Sequence, residues 1–308
     1  MEFQGGCWLP WGGTTYDNCA ALMNSDYERV YYKNDFSFGV AILNLYMVSN
    51  APPKNTDLRV FRPNFSPQTA GGTNWGNLGY PQGYTSYDYA AAIKEDRTVT
   101  REKYSELKVI ANFMKVSPSY LDAIPNSATS GIYTDTTDLI VTPLIGNLTL
   151  SSFYVVRHVD TTYTTSTSYK LKINTSVGNV TIPQLGGTLS LNGRDSKVHV
   201  ADYNISSANI VYSTAEIFTW KNFENKTALI VYGGPEEQHE MQIQVPGGSA
   251  AATVVEGPSS SVHTQTTGTS VILNWSVSSE RQIVRIGSVD VYLVGKPRPY
   301  PYMSRLLT

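Results

Sequence analysis

"SYKLKINTSVGNVTIPQLGGTLSLNGRDSKVHVADYN", residues 168–204, alternates apolar and polar positions and breaks at Gly-Gly and Asn-Gly. In its first segment Tyr169, Leu171 and Ile173 alternate with lysines. A period of two sets one side of a strand against a core and the other in water. Similar runs continue: ANIVYSTAEIFTW, ALIVYGG, MQIQV, SVILNWSV, QIVRIG and VDVYLV, the last ending at Val294. Turn signals punctuate them at roughly ten-residue spacing, the mark of an antiparallel sandwich or barrel. No fixed-period repeat is visible, which argues against a propeller or solenoid.

The amino-terminal third has another character. Asn24 or Ser25 can cap a helix through DYERVYYKND (26–35), with Tyr27, Val30 and Tyr31 on one face. FGVAILNLYM (38–47) is a continuous apolar run, too short for a typical buried helix. It fits a strand covered on both faces, as in a parallel sheet. A second helix is expected from about Thr100, with Glu102 in its first turn and Leu107, Ile110, Phe113 and Met114 as its apolar stripe. It must stop before Pro118, because the residue ahead of a proline avoids the helical region. The fold class is therefore α/β plus all-β, with domains at 1–120 and 121–294, and two domains also suit 308 residues. Two helices and one clear strand cannot close a parallel sheet, so the first domain reads as the end of something larger.

Composition narrows the function classes. A net charge of −2 leaves no electrostatic footprint for nucleic acid or an anionic membrane. No run of about 18 apolar residues exists, and MEFQGGCWLPWGG lacks the basic and apolar segments of a signal peptide. There are 21 Tyr against 9 Phe, and the second half is rich in Ser, Thr, Val and Gly, a lean towards the extracellular. Asn-x-Ser/Thr sequons fall at Asn64, Asn147, Asn174, Asn179, Asn204, Asn225 and Asn274. The last six, spread through one β-rich stretch, favour a glycosylated secretory protein. Cys7 and Cys19 admit either a disulfide or two free thiols.

Two clusters could carry chemistry. Glu2 sits in MEFQGG ahead of Trp8, Trp11 and Gly12–Gly13. A carboxylate among aromatics and glycines suits a sugar site, because indole faces pack on pyranose C–H faces and glycines admit close backbone approach. A solvated residue at a loose terminus is the plainer alternative. GGTNWGN (71–77) with GYTSYDYA (83–90) gathers Trp75, Tyr84, Tyr87, Asp88 and Tyr89, as either a binding loop or ordinary loop packing. His158, His199, His239 and His263 have no metal-ligand spacing. EEQHE (236–240) reads as a solvated hairpin end, and no GxSxG, Walker or dinucleotide fingerprint is present.

Taken together, EFQGG…PWGG, ERVYYKNDFSFGVAILNLYM, GGTNWGNLGYPQGYTSYDYA, TREKYSELKVIANFMKVSPSYL and TIPQLGGTLSLNGRDSKVHVADYN strongly resemble fungal β-galactosidases of glycoside hydrolase family 35. The resemblance covers nearly the whole chain except 48–70 and the last dozen residues. It implies the last two βα units of a TIM (β/α)8 barrel followed by an antiparallel β-sandwich-like domain. It also implies hydrolysis of terminal β-galactosides with retention, by two carboxylates about 5–5.5 Å apart. By that resemblance Glu2 is the nucleophile at the end of barrel strand 7. Tyr89 faces the galactose, Trp8 lines the site, and Tyr46, ending strand 8, is a further contact. The substrate partner is a β-galactoside such as lactose, galactan or an oligosaccharide side chain. No metal or organic cofactor is implied, and the family is secreted.

The departures carry their own expectations. The family's acid/base glutamate follows an asparagine, and no glutamate here does so. The chain thus reads as beginning one residue before its nucleophile, without six barrel strands, and inert as written. Cys19 matches a half-cystine whose partner falls in the missing part. Leu9 replaces the aspartate of the family's DPWGG, and Ala90 the glycine after SYDY. The stretch 48–70 holds Pro52, Pro53, Pro63 and Pro67 with no period of 2 or 3.6, and separates strand 8 from the loop it should precede. Val48-Ser49 can be encoded by GTAAGT, so a retained intron is expected there, with a lineage-specific insertion as the alternative. Gly295-Lys296, readable as GGTAAG, opens a tail, 295–308, that matches nothing in the family. The alternative function is a non-catalytic β-sandwich binding a glycan or a partner, released by proteolysis as a fragment starting near 120–135.

Overall fold

The computed structural model describes residues 18, 24–41, 92–94, 96–99, 102–247 and 251–296, together with the backbone of five short strands before residue 88. Two compact units divide the chain, 1–111 and 112–308.

In the first unit the strands are β1 (Glu2–Gln4), β2 (Leu43–Tyr46), β3 (Phe65–Pro67), β4 (Gly72–Thr73) and β5 (Ser86–Tyr87). β2 lies between β1 and β3 and runs parallel to both, as its apolar run suggested. β3 falls within 48–70, the stretch expected to be irregular; the rest of that stretch lies outside the described residues. Helix α1 spans Ser25–Ser37, and its Asn24 cap accepts a hydrogen bond from the Tyr27 amide at 2.9 Å. Val30, Tyr32 and Phe36 are its buried apolar residues. Tyr27 and Tyr31, expected on one face with Val30, are half-buried with ring centroids 4.4 Å apart. Helix α2 spans Glu102–Val116 and ends ahead of Pro118 as required.

Two polar contacts fix the relative direction of these helices. Ser25 Oγ donates to Glu102 at 3.1 Å, and Arg29 Nη2 donates to Glu106 at 3.0 Å, each across 77 residues. Equal offsets one turn apart mean that α1 and α2 run parallel, first turn beside first turn. Parallel strands with parallel helices are the grammar of α/β units.

Glu28 lies inside this helix pair, with Tyr32 Oη donating to it at 3.3 Å and the Lys103 ammonium forming an ion pair with it at 3.8 Å. Burial pushes its carboxyl up from 4.5 to about 8, against the pull of Lys103. A carboxyl raised in the folded state contributes stability below its unfolded value and loses it as pH rises through the folded one. The first unit is therefore expected to loosen between about pH 4.5 and 8. Hydrogen exchange of the α1 amides at pH 5 and pH 8 checks this. Glu28→Gln should flatten the difference; an unchanged difference would assign it to another group.

The second unit opens with β6 (Ile124–Pro125), β7 (Thr129–Ser130), β8 (Leu139–Ile145) and β9 (Ser152–His158). β10 (Ser166–Tyr169), β11 (Leu171–Thr175), β12 (Gly178–Ile182) and β13 (Leu189–Asn192) follow. Next come β14 (Ser196–Asn204), β15 (Asn209–Ser213), β16 (Glu216–Asn222), β17 (Thr227–Gly233) and β18 (Gln238–Gln244). The unit closes with β19 (Ala252–Glu256), β20 (Val262–Thr267), β21 (Ser270–Ser276), β22 (Gln282–Ile286) and β23 (Val289–Gly295). A nine-stranded sheet runs β20-β21-β18-β15-β14-β9-β8-β6, with β7 also on β8. A five-stranded sheet runs β16-β17-β23-β22-β19, antiparallel except where β17 and β23 pair in parallel.

The two-stranded ladders β10–β13 and β11–β12 cover the large sheet. Their Tyr169, Leu171, Ile173, Ile182, Leu189 and Leu191 share one core cluster with Val141, Tyr154, Val156 and Tyr212 from that sheet. β10 and β11 show the expected alternation of exposed and buried residues, whereas β14 is buried at every position but its last. A strand buried throughout is covered on both faces, so it shows no period of two. Around Phe153 the rings of Phe113, Tyr120 and Tyr203 pack edge-on at 6.1, 6.0 and 6.2 Å. Ser117 and Tyr203 meet at 2.8 Å, so residues 113–120 are embedded in this unit. The architecture is a β-sandwich.

One turn of the sandwich is held by a single carboxylate. Asp122 Oδ2 accepts from the backbone amides of Asn147, Leu148 and Thr149 at 3.2, 2.7 and 2.7 Å, and from the Thr149 hydroxyl at 3.1 Å. Those donors hold the Asp122 carboxyl below its ordinary value. Asp122→Ala is expected to speed amide exchange at residues 147–149 while leaving β8 and β9 protected; spreading into those strands would show a larger structural role.

Candidate functional site

Glu2, the nucleophile candidate, lies on β1, whose register sets Glu2 opposite Asn44, Phe3 opposite Leu45 and Gln4 opposite Tyr46. Tyr46 is the last residue of β2, at positions of the same parity as Glu2 in that ladder and nearer its carboxyl end. Carboxyl ends of parallel strands are where α/β folds place binding groups. The hairpin β4–β5 pairs Gly72 with Tyr87 and Thr73 with Ser86. The opening of GGTNWGN thus lies beside SYDY, motifs that sequence spacing alone does not join. Trp8 and Tyr89 lie outside the described residues, as do Cys7, Cys19, Leu9 and Ala90.

The densest polar cluster is elsewhere, inside the sandwich. EEQHE was expected to be a solvated hairpin end; only Glu236 and Pro235 beside it are exposed, while Glu237, His239 and Glu240 are buried. The reason is a set of partners distant in sequence. Lys197 on β14 donates to Glu237 at 2.8 and 2.9 Å and pairs with Asp195 at 3.0 Å. His239 Nε2 meets Glu237 at 3.0 Å, and the Gly234 amide donates to the same carboxylate at 2.7 Å. Burial by itself would raise the Glu237 carboxyl, but Lys197 and His239 bring it down to about 2. Burial would likewise lower the Lys197 ammonium, and the carboxylates of Asp195, Glu237 and Glu216 outweigh it, pushing it well above the usual range.

The cluster extends through hydroxyl and imidazole groups. His199 joins Tyr169 Oη at 2.8 Å through Nε2 and the Thr214 carbonyl at 2.8 Å through Nδ1. His239 Nδ1 is 3.2 Å from Thr214 Oγ1, so Thr214 links both histidines. Glu240 accepts from the Gln184 and Leu185 amides at 2.6 and 2.8 Å, from Tyr212 at 2.8 Å and from Asn274 at 3.0 Å. A Cβ on Gly233 would collide with the His239 ring, which explains a glycine there. Hydrogen-bonded throughout and buried on β14, β15, β18 and β21, the cluster ties those strands to the overlying 184–185 segment. Among the described residues no group of three or more His, Cys, Asp or Glu side chains could hold a metal ion.

The sequons divide by environment. Asn274 is 2% exposed, its amide nitrogen donating to Glu240 and its oxygen accepting from Gln238 at 2.8 Å, bonds that a glycan would break. Asn147, Asn174, Asn179, Asn204 and Asn225 are exposed. Asn204 Oδ1 accepts from the Ser206 amide of its own sequon at 2.6 Å.

Comparison with known proteins places these observations in a family. Residues 68–114 match glycosyl hydrolases family 35, and residues 123–302 match β-galactosidase, domain 2. The chain belongs to the β-galactosidases of that hydrolase family. It is 53% identical over 302 residues to the probable β-galactosidase A of Aspergillus flavus, across 98% of this chain and 28% of that protein. β-Galactosidase A of Aspergillus niger is 52% identical over 302 residues, and that of a Penicillium species 52% over 303, with the same shares covered. The chain thus spans about 28% of the length of the curated relatives it matches.

Proposed function

We propose that this chain is a segment of a secreted retaining β-galactosidase: the end of its catalytic barrel, with Glu2 as nucleophile, followed by its second domain. The observation that carries the reading is 53% identity across 98% of the chain to a probable β-galactosidase A. The parallel β1–β2–β3 ladder and the parallel helices support a barrel remnant, since neighbouring βα units repeat in that sense. Tyr89, Trp8 and Tyr46 are the proposed galactose contacts. The substrate is a terminal β-D-galactoside, of lactose, galactan or an oligosaccharide side chain.

In a retaining mechanism one carboxylate attacks the anomeric carbon while a carboxylic acid protonates the departing oxygen, then activates water against the glycosyl-enzyme. Glu2 takes the first role. The acid/base is not among the glutamates of this chain, none of which follows an asparagine. A galactosyl donor with a 2-fluoro substituent and a leaving group needing no protonation separates the two roles. Such a reagent should label the tryptic peptide that ends at Arg29, with Glu2 as the modified residue. A label on any other carboxylate would remove Glu2 from the mechanism.

A further inference from the structure

The hairpin β11–β12 sets two sequons face to face. Its register is Leu171 with Ile182, Lys172 with Thr181, Ile173 with Val180, Asn174 with Asn179, and Thr175 with Gly178. Leu171, Ile173 and Ile182 are buried in the core cluster, and Val180 packs against it. Lys172, Thr181, Asn174 and Asn179 are exposed on the opposite, solvent side. Both asparagines head complete acceptor triplets, Asn174-Thr175-Ser176 and Asn179-Val180-Thr181.

Directly opposite residues in an antiparallel pair have Cβ atoms about 4.5–5.5 Å apart and point the same way. A pyranose with its acetamido arm is wider than that spacing, and each glycan branches outward from its first sugar. The hairpin cannot widen to relieve the crowding. Its inner face is anchored in the core, and its turn is clasped from β14 by Asp202, which accepts from the Ser176 amide at 2.7 Å and the Ser176 hydroxyl at 2.5 Å.

We infer that Asn174 and Asn179 are mutually exclusive N-glycan acceptors: the folded protein carries a glycan on one of them and not on both. Transfer forms a bond from the asparagine Nδ2 to the anomeric carbon of an N-acetylglucosamine, releases the lipid pyrophosphate of the donor and loses one amide proton. The donor is the lipid-linked oligosaccharide of the secretory membrane, so the inference rests on the secretory reading above.

The test uses the 308-residue chain, secreted from a fungal host behind the host's leader. Trypsin cuts after Lys172 and Arg194, so one peptide carries both sequons. Enzymatic deglycosylation in heavy-oxygen water tags each formerly occupied asparagine, and mass spectrometry counts the tags per peptide. The expected result is singly tagged peptide with none doubly tagged, and Asn179→Gln raising the tag at Asn174. Doubly tagged peptide in folded, secreted material overturns the inference. So do tags at Asn147, Asn204 or Asn225 with none at either of the pair, which leaves the secretory reading standing. A chain free of glycan throughout overturns both.

Discussion

Lys197→Met is expected to destabilise the second unit by about 3–5 kcal/mol, because removing one partner of a buried ion pair strands the other charge. The stranded groups are the carboxylates of Glu237 and Asp195, which hold Lys197 at 2.8 and 3.0 Å. For a unit of this size each kcal/mol shifts Tm by about 2–4 °C, so the loss amounts to roughly 6–20 °C. Urea unfolding of a fragment beginning at or before Asn112, which keeps the embedded Phe113 and Tyr120, is the appropriate measurement. A loss below about 1 kcal/mol would mean that the cluster is solvated and relaxes freely.

The pH dependence has a definite sign. Glu237 is brought from 4.5 unfolded to about 2 folded, so its contribution is full above about pH 4.5 and fades as pH falls through 2. The deficit of Lys197→Met should therefore hold between pH 5 and 9 and shrink towards pH 2. The double variant with Glu237→Gln should cost less than the sum of the two single variants, since both remove the same pair.

Turnover of lactose or an alkyl galactoside by this chain is expected to be undetectable. Neither alkoxide nor sugar leaves readily without a proton, and loss of a positioned general acid costs about 10²–10⁴ in rate. On the proposed assignment, a donor whose leaving group needs no proton should still react at Glu2, if slowly, and stop at the glycosyl-enzyme, because the acid/base role not assigned to any residue here is also the one that activates water. Measurable lactose hydrolysis that Glu2→Gln abolishes would show that another group in this chain supplies the proton.

Local signals were legible where the deciding contacts are local. Asn24 caps α1 by accepting from an amide three residues on, Pro118 stops α2, and Tyr169, Leu171 and Ile173 alternate because only one face of β10 and β11 is covered. Legibility failed where partners are remote. Glu237 and Glu240 looked like solvent residues because Lys197 lies 40 residues away and Gln184 lies 56 away. The shared face of Tyr27 and Tyr31 was legible, but aromatic periodicity did not tell that their rings form a half-buried stack. The nucleophile role proposed for Glu2 rests on resemblance alone, since a carboxylate beside glycines and tryptophans fits several settings.

The parallel pairing of β17 with β23 has a consequence for how the domain is made. The two strands align along their full length, from Thr227 with Val289 to Gly233 with Gly295, each pair 62 positions apart in sequence. Every other partnership in the five-stranded sheet is antiparallel, and the centre of that sheet is the last strand to be synthesised. On a ribosome, β17 and β22 would wait with bare edges until β23 emerged, a late closure of high contact order. A nascent chain stalled before Val289 presents two open templates for pairing with its neighbours, the geometry from which intermolecular sheets grow. Chaperone dependence of this domain should therefore fall sharply once residue 295 has left the exit tunnel.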